Sequence, residues 1–180
     1  MLLRIENSIN KIVDKIGNLT AIVLVLMMLN VCYDVVMRYF FNNSTIAFQE
    51  LEWHLFSFVI LIGIAYTLKE DAHVRVDIFY ENFDIKTQAI INIAGAVLFI
   101  IPFSMLIVYG GYLYAHESYI MGEISGNPGG LTHRWIVKSL IVISFTLLIL
   151  TTVAFILRNI NIFFNIEKPI IHHFEDDVSL

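Results

Sequence analysis

The sequence predicts an all-α fold, a polytopic membrane protein with four transmembrane helices plus short interfacial helices. Two observations carry that prediction. Hydrophobic residues make up 58% of the chain and charged residues 15%, whereas an ordinary soluble domain is roughly 45–50% apolar and about 25% charged. The charges also fall in short intervals between four long apolar runs, each close to the roughly 20 residues that cross about 30 Å of hydrocarbon. Residues 1–168 read as a single four-span membrane domain, and residues 169–180 as an acidic cytoplasmic tail.

The first element is an amphipathic helix over about residues 2–16. Ile5, Ile9, Ile12 and Ile16 recur at helical spacing, with Arg4, Glu6, Lys11 and Lys15 between them, so the helix is expected to lie in the interface. The four spans follow at about 19–41, 51–68, 89–114 and 136–157. The first is too long for a signal-peptide core and lacks a small-residue cleavage site, so it is expected to stay in the protein. None alternates as a barrel strand does, and a backbone in lipid must satisfy its own hydrogen bonds, so all four are helices. The third exceeds the membrane thickness, should tilt or project beyond the bilayer, and should kink at Pro102. Val76, Phe79, Tyr80 and Phe83 share one face of a short second interfacial helix, and Asp84 is placed to cap the third span.

Orientation follows from the basic residues. Arg4, Lys11, Lys15, Lys69, Arg75, Lys86, Arg158 and Lys168 lie on one side, and only Arg38, Arg134 and Lys138 lie on the other. Both termini are therefore expected in the cytoplasm. Trp53, Tyr112, Tyr114, Tyr119 and Trp135 gather at the expected outer boundary, as amphipathic rings do.

Composition and motifs exclude several activities. Nothing forms a basic nucleic-acid-binding patch. Cys32 is the single cysteine, so neither a disulfide framework nor a thiol redox motif is available. Ser57 and Ser104 lack a histidine–carboxylate set, and no phosphate loop is present, so no catalytic residue, metal or cofactor is expected. Asp34 and Arg38, one turn apart in the first span, read as an ion pair near the outer boundary. Four-helix membrane anchors can hold heme between histidines, but His54, His116 and His133 sit toward the outer boundary with no deep partner. Internal repeats, which mark many complete transporters, are absent. The glycine-rich run 122–130 reads as a connector or an outer docking surface.

Three features then resemble one family. The stretch FQELEWHLFSFVILIGIAYTLKEDAHVRVDIFY (48–80) has an acidic and aromatic start to the second span, small residues at Gly63 and Ala65, and an inner H-V-x-x-D element. GNPGGLTHRWIVKSLI (126–141) leads into the fourth span, and the four-span layout covers nearly the whole chain. Together they resemble the small membrane subunit (DctQ type) of tripartite ATP-independent periplasmic (TRAP) transporters, in the branch handling mannitol, chloroaromatic or 2-oxo-acid substrates.

The resemblance implies a scaffold in the bacterial inner membrane. Its partners are a large polytopic subunit, a periplasmic solute-binding protein and membrane lipid, and the system takes up organic acids on an ion gradient, usually sodium. It implies that Glu50, Glu52, Trp53 and His54 face an outer partner, and that His73, Arg75 and Asp77 tie the second span to its neighbours inside. Gly63, Ala65, Gly95 and Ala96 are small enough for close helix approach. The alternatives are a heme-bearing anchor of a respiratory complex and a stand-alone homodimeric exporter.

Overall fold

A computed structural model describes residues 2–70, 80 and 83–164 of the chain. Its helices are α1 (Leu2–Phe40), α2 (Ile46–Lys69), α3 (Ile85–Gly95), a π-helical stretch (Ala96–Ile100), α4 (Ile101–Ile120) and α5 (Trp135–Phe163). The third to fifth of these run on as one 36-residue span, so four helices are long and apolar enough to cross a membrane.

The amphipathic segment and the first span form one helix of 39 residues. At 1.5 Å per residue α1 is about 58 Å long, nearly twice the hydrocarbon thickness of about 30 Å. No proline interrupts it, and a lone glycine costs only about 1 kcal/mol against propagation. That glycine, Gly17, has a packing reason: a Cβ there would run into the Tyr66 ring of α2, with Cε2 at 2.7 Å. The isoleucine stripe is not the face of this segment that packs on the bundle. Ile5 and Ile12 are 41% and 48% exposed, while Glu6 and Val13 face inward. The inner ends of α2 and α5 offer Lys69 and Asn161 at this level, so the polar face of α1 docks there, with Ile5 and Ile12 turned outward and Ile9 and Ile16 half-buried.

α1 stops at Asn42, whose φ of 47° is the left-handed turn asparagine tolerates. The Asn43 amide then reaches back to the Met37 carbonyl at 3.1 Å, closing the helix end. In the third span the distortion expected at Pro102 takes the form of the π-helical stretch just before it. The Ile101 amide bonds the Ala96 carbonyl, a one-residue slip that accommodates the missing proline donor.

α5 is the centre of the bundle and packs against α1, α2, α3 and α4. A third of its most apolar stretch is buried, against 6% for α1. Leu68, Ala96, Leu148 and Phe155 form the small apolar core. Much of the rest is small or polar: Ser104, Gly111 and Ser118 recur every seven residues along the buried side of α4. Ser144 bonds the Leu61 carbonyl across to α2, while Thr151 and Thr152 bond carbonyls of their own helix. In lipid such seams gain from the close contact that small residues allow, since hydrocarbon offers no hydrophobic drive. Large side chains such as Leu26, Phe99, Leu106 and Tyr109 point outward.

Candidate functional site

At the outer end, the start of α2 meets the 121–134 connection into α5, and Glu50 joins them. Glu50 Oε2 accepts from the Leu131 amide at 2.7 Å, and Oε1 accepts from the Ser125 hydroxyl and from Asn127 Nδ2, the latter at 3.4 Å. The connection also ties itself. Ser125 N donates to the Leu131 carbonyl, and Gly130 N to the Asn127 carbonyl, both at 3.0 Å. Gly122 and Gly129 take positive φ at its turns, and Gly130 lies so close that a Cβ would stand 2.5 Å from Ser125 and 2.8 Å from Glu50 Oε2. The glycine-rich run is a folded cap on α2.

A second pairing holds the other edge of that cap. Glu123 accepts from Lys138 Nζ, and Arg134 Nε lies 3.8 Å from its second oxygen. Lys138 Nζ also sits over the Tyr114 ring, 3.9 Å from its centroid. The Lys138 ammonium holds the Glu123 carboxyl below the usual carboxylate range, assisted by the Ser118 hydroxyl and the charge of Arg134.

Between these pairings lies an open recess of about 260 Å³, lined by Ile46, Gln49, Glu50, Trp53, His54, Asn127 and Arg134. Three of the four outer residues singled out in the sequence, Glu50, Trp53 and His54, therefore share one concavity. Glu50 is engaged with the cap, His54 Nδ1 donates to the Glu50 carbonyl at 2.5 Å, and Trp53 is 68% exposed. Glu52, half-buried, lies off the recess and makes no hydrogen bond or ion pair with the described residues. Nearby, buried Asp34 accepts from Arg38, and Asn30 Nδ2 donates to the Phe48 carbonyl at 3.0 Å, fastening α1 to α2.

The expected small-residue contacts divide. Ala65 and Ala96 are buried within the bundle, but a Cβ at Gly63 or Gly95 would meet nothing within 4 Å. The glycines in close approach between helices are Gly17 and Gly111, where a Cβ would come within 3.0 Å of Ile141. His73, Arg75 and Asp77 lie outside the described residues, as does the tail from residue 169.

The inner end carries a polar cluster that sequence reasoning missed. Lys69 pairs with Asp14 of α1 and, at 2.8 Å, with Glu70. Buried Glu6 accepts from Asn161 Nδ2 at 3.2 Å, and Asn92 Nδ2 donates to Asn159 Oδ1 and to the Tyr80 hydroxyl, both at 2.8 Å. A signal existed, since Glu6, Asn10, Val13 and Gly17 have the same helical spacing as the isoleucines, with Asp14 beside them. Both ends of the bundle are thus fastened by hydrogen-bonded carboxylates, with outward apolar faces between them. The arrangement fixes helices against one another and presents surface.

Comparison with known proteins adds two findings. Residues 27–161 match the sequence model of the family described as tripartite ATP-independent periplasmic transporters, DctQ component. A Haemophilus influenzae protein bearing the name TRAP transporter small permease protein is 29% identical over 139 residues, which is 76% of this chain and 86% of that protein.

Proposed function

The chain belongs to the DctQ component family of the tripartite ATP-independent periplasmic transporters, and on that premise we propose that it is the fixed membrane scaffold of an ion-gradient-driven uptake system for organic acids. As a TRAP small permease subunit it is a transport component and a multi-pass inner-membrane protein. The family works with a large membrane subunit and a binding protein. On our reading the large subunit carries substrate and coupling ion, sodium, while this chain supplies lipid-anchored mass for it to move against. Both termini are cytoplasmic, and the cap over α2 faces the periplasm and contributes to docking of the binding protein.

One observation carries the scaffold reading: the bundle is built around α5 alone and turns most of its large apolar side chains outward. Such a bundle encloses little and offers long faces to lipid and to a neighbouring subunit. The cap, cross-tied to α2 through Glu50, supplies a preformed outer surface, which suits docking better than a mobile loop does.

The test is reconstitution. Proteoliposomes containing the large subunit with this chain, supplied with the binding protein and a sodium gradient, should accumulate a labelled 2-oxo acid. Omitting this chain should abolish uptake, and the isolated chain should bind neither the acid nor sodium. Full uptake without the chain, or tight carboxylate binding by the chain alone, would overturn the scaffold reading.

A further inference from the structure

The inner extension of α1 segregates its charges. Its two acids are both engaged by the bundle: Glu6 is buried against Asn161, and Asp14, its side chain 46% exposed, pairs with Lys69. Its three bases, Arg4, Lys11 and Lys15, are exposed and share one side of the helix. Beside them runs an exposed apolar stripe, Ile5, Ile12 and Leu19, at 41%, 48% and 48%. The outward face is therefore basic and apolar together, and the one acid at its edge, Asp14, is paired with Lys69.

Its depth follows from the docking. From Trp135 to Asn161 α5 rises about 39 Å, so with Trp135 at one boundary Asn161 lies several ångströms beyond the roughly 30 Å of hydrocarbon. That is headgroup depth, and the bond to Asn161 holds Glu6 there. Arg4, Lys11 and Lys15 fall within three helical turns of Glu6, and their long side chains reach phosphates while their stems lie along apolar surface.

We propose that the Arg4–Lys11–Lys15 face of α1, with Ile5, Ile12 and Leu19 between acyl chains, binds the phosphate headgroups of anionic phospholipids in the leaflet at that end of the bundle. Charge complementarity names the occupant: an interfacial face with three exposed cations, whose one neighbouring acid is already paired with Lys69, fits a surface of phosphodiesters. The face thereby fixes the depth and tilt of α1, the helix least buried by its own chain.

The experiment titrates the detergent-purified full chain with fluorescent phosphatidylglycerol, using phosphatidylcholine as the neutral control. Wild type should prefer phosphatidylglycerol, and added salt should weaken the preference. R4Q, K11Q and K15Q should each lower the apparent affinity about fivefold, equivalent to about 1 kcal/mol per basic side chain near the surface. R4K, K11R and K15R should retain it, and these single variants keep the test readable if the triple glutamine variant fails to accumulate. K86Q, which removes an exposed lysine from the start of α3, should change little. Equal affinity for the two lipids, unchanged binding by the glutamine variants, or an equal loss in K86Q overturns the proposal. So does a triple variant that keeps its anionic lipid but loses the large subunit, because a protein then occupies the face. Both lipid arms are free in solution, so the outcome is independent of membrane orientation and of the transport reading.

Discussion

Glu50 Oε2 accepts the Leu131 amide at 2.7 Å across a separation of 81 residues, joining the start of one membrane helix to the approach of another. Glu50 and Glu52 are two residues apart, yet only Glu50 is part of this tie. E50A should therefore loosen the 121–134 cap while leaving the spans inserted, and hydrogen exchange should accelerate at Leu131 and Ser125. E52A should leave exchange in the cap unchanged. If binding-protein docking uses the folded cap, E50A should also lower uptake without releasing the large subunit. Identical exchange in wild type and E50A would remove Glu50 from its role as an anchor.

The glycines of the cap separate space from flexibility. A Cβ at Gly130 would meet Ser125 at 2.5 Å and Glu50 Oε2 at 2.8 Å, whereas one at Gly126 would meet nothing within 4 Å. G130A should therefore destabilise the chain by about 1–3 kcal/mol, the usual cost of forcing atoms into a packed site. G126A should be close to neutral. Thermal unfolding in detergent compares the two, and equal midpoints would show that the cap is looser than its geometry.

Acid should open the cap from its Glu123 edge. The Lys138 ammonium holds the Glu123 carboxyl below its ordinary value, so the proton binds more weakly in the folded cap than in the unfolded chain. The stabilisation is complete above the ordinary carboxylate value of about 4.3 and is lost as pH falls through the lowered folded value. Trp135, edge-on to Tyr119 beside the cap, is a reporter once Trp53 is replaced by phenylalanine. Its emission should hold steady from neutral pH to about 5 and change below about 4.3, and E123Q should flatten that change. An unaltered profile in E123Q would assign the transition to other carboxylates.

The long-period features were readable in the sequence because each depends on a property averaged over many residues. Four apolar runs make four spans whatever their partners, and Pro102 marks a backbone fault that any packing must absorb. The Glu50 tie depends on residues 75 to 81 positions away, and no local pattern encodes such a distance. In the extension of α1 the pattern is legible but the docked face is not. Ile5, Ile9, Ile12 and Ile16 form a proper apolar stripe, but the docking surface at that depth is polar, so Glu6 is buried there and Asp14 reaches Lys69 while Ile5 and Ile12 stay exposed. Periodicity locates two faces of a helix, and the neighbours decide which is buried. In a membrane the apolar face has a second solvent to turn to.

The same ambiguity makes the glycines the sharpest probe of which surfaces are internal. Gly111 faces Ile141 of α5 so closely that a Cβ would come within 3.0 Å of its methyl, while Gly63 opens onto space that no part of the described chain fills. G111L should force α4 away from α5, and overpacking of this kind typically costs about 1–3 kcal/mol or more, so the isolated chain should unfold at lower temperature. G63L adds a side chain where there is room, so the isolated chain should keep its midpoint. If the Gly63 face receives the large subunit, that leucine holds the two helices apart, and co-purification should fall although insertion is intact. The two variants then behave as opposites: one damages the chain and the other only its assembly. Undiminished co-purification of G63L would move the contact with the large subunit to another face of the bundle, and an undisturbed G111L would mean that α4 and α5 do not share the seam described above.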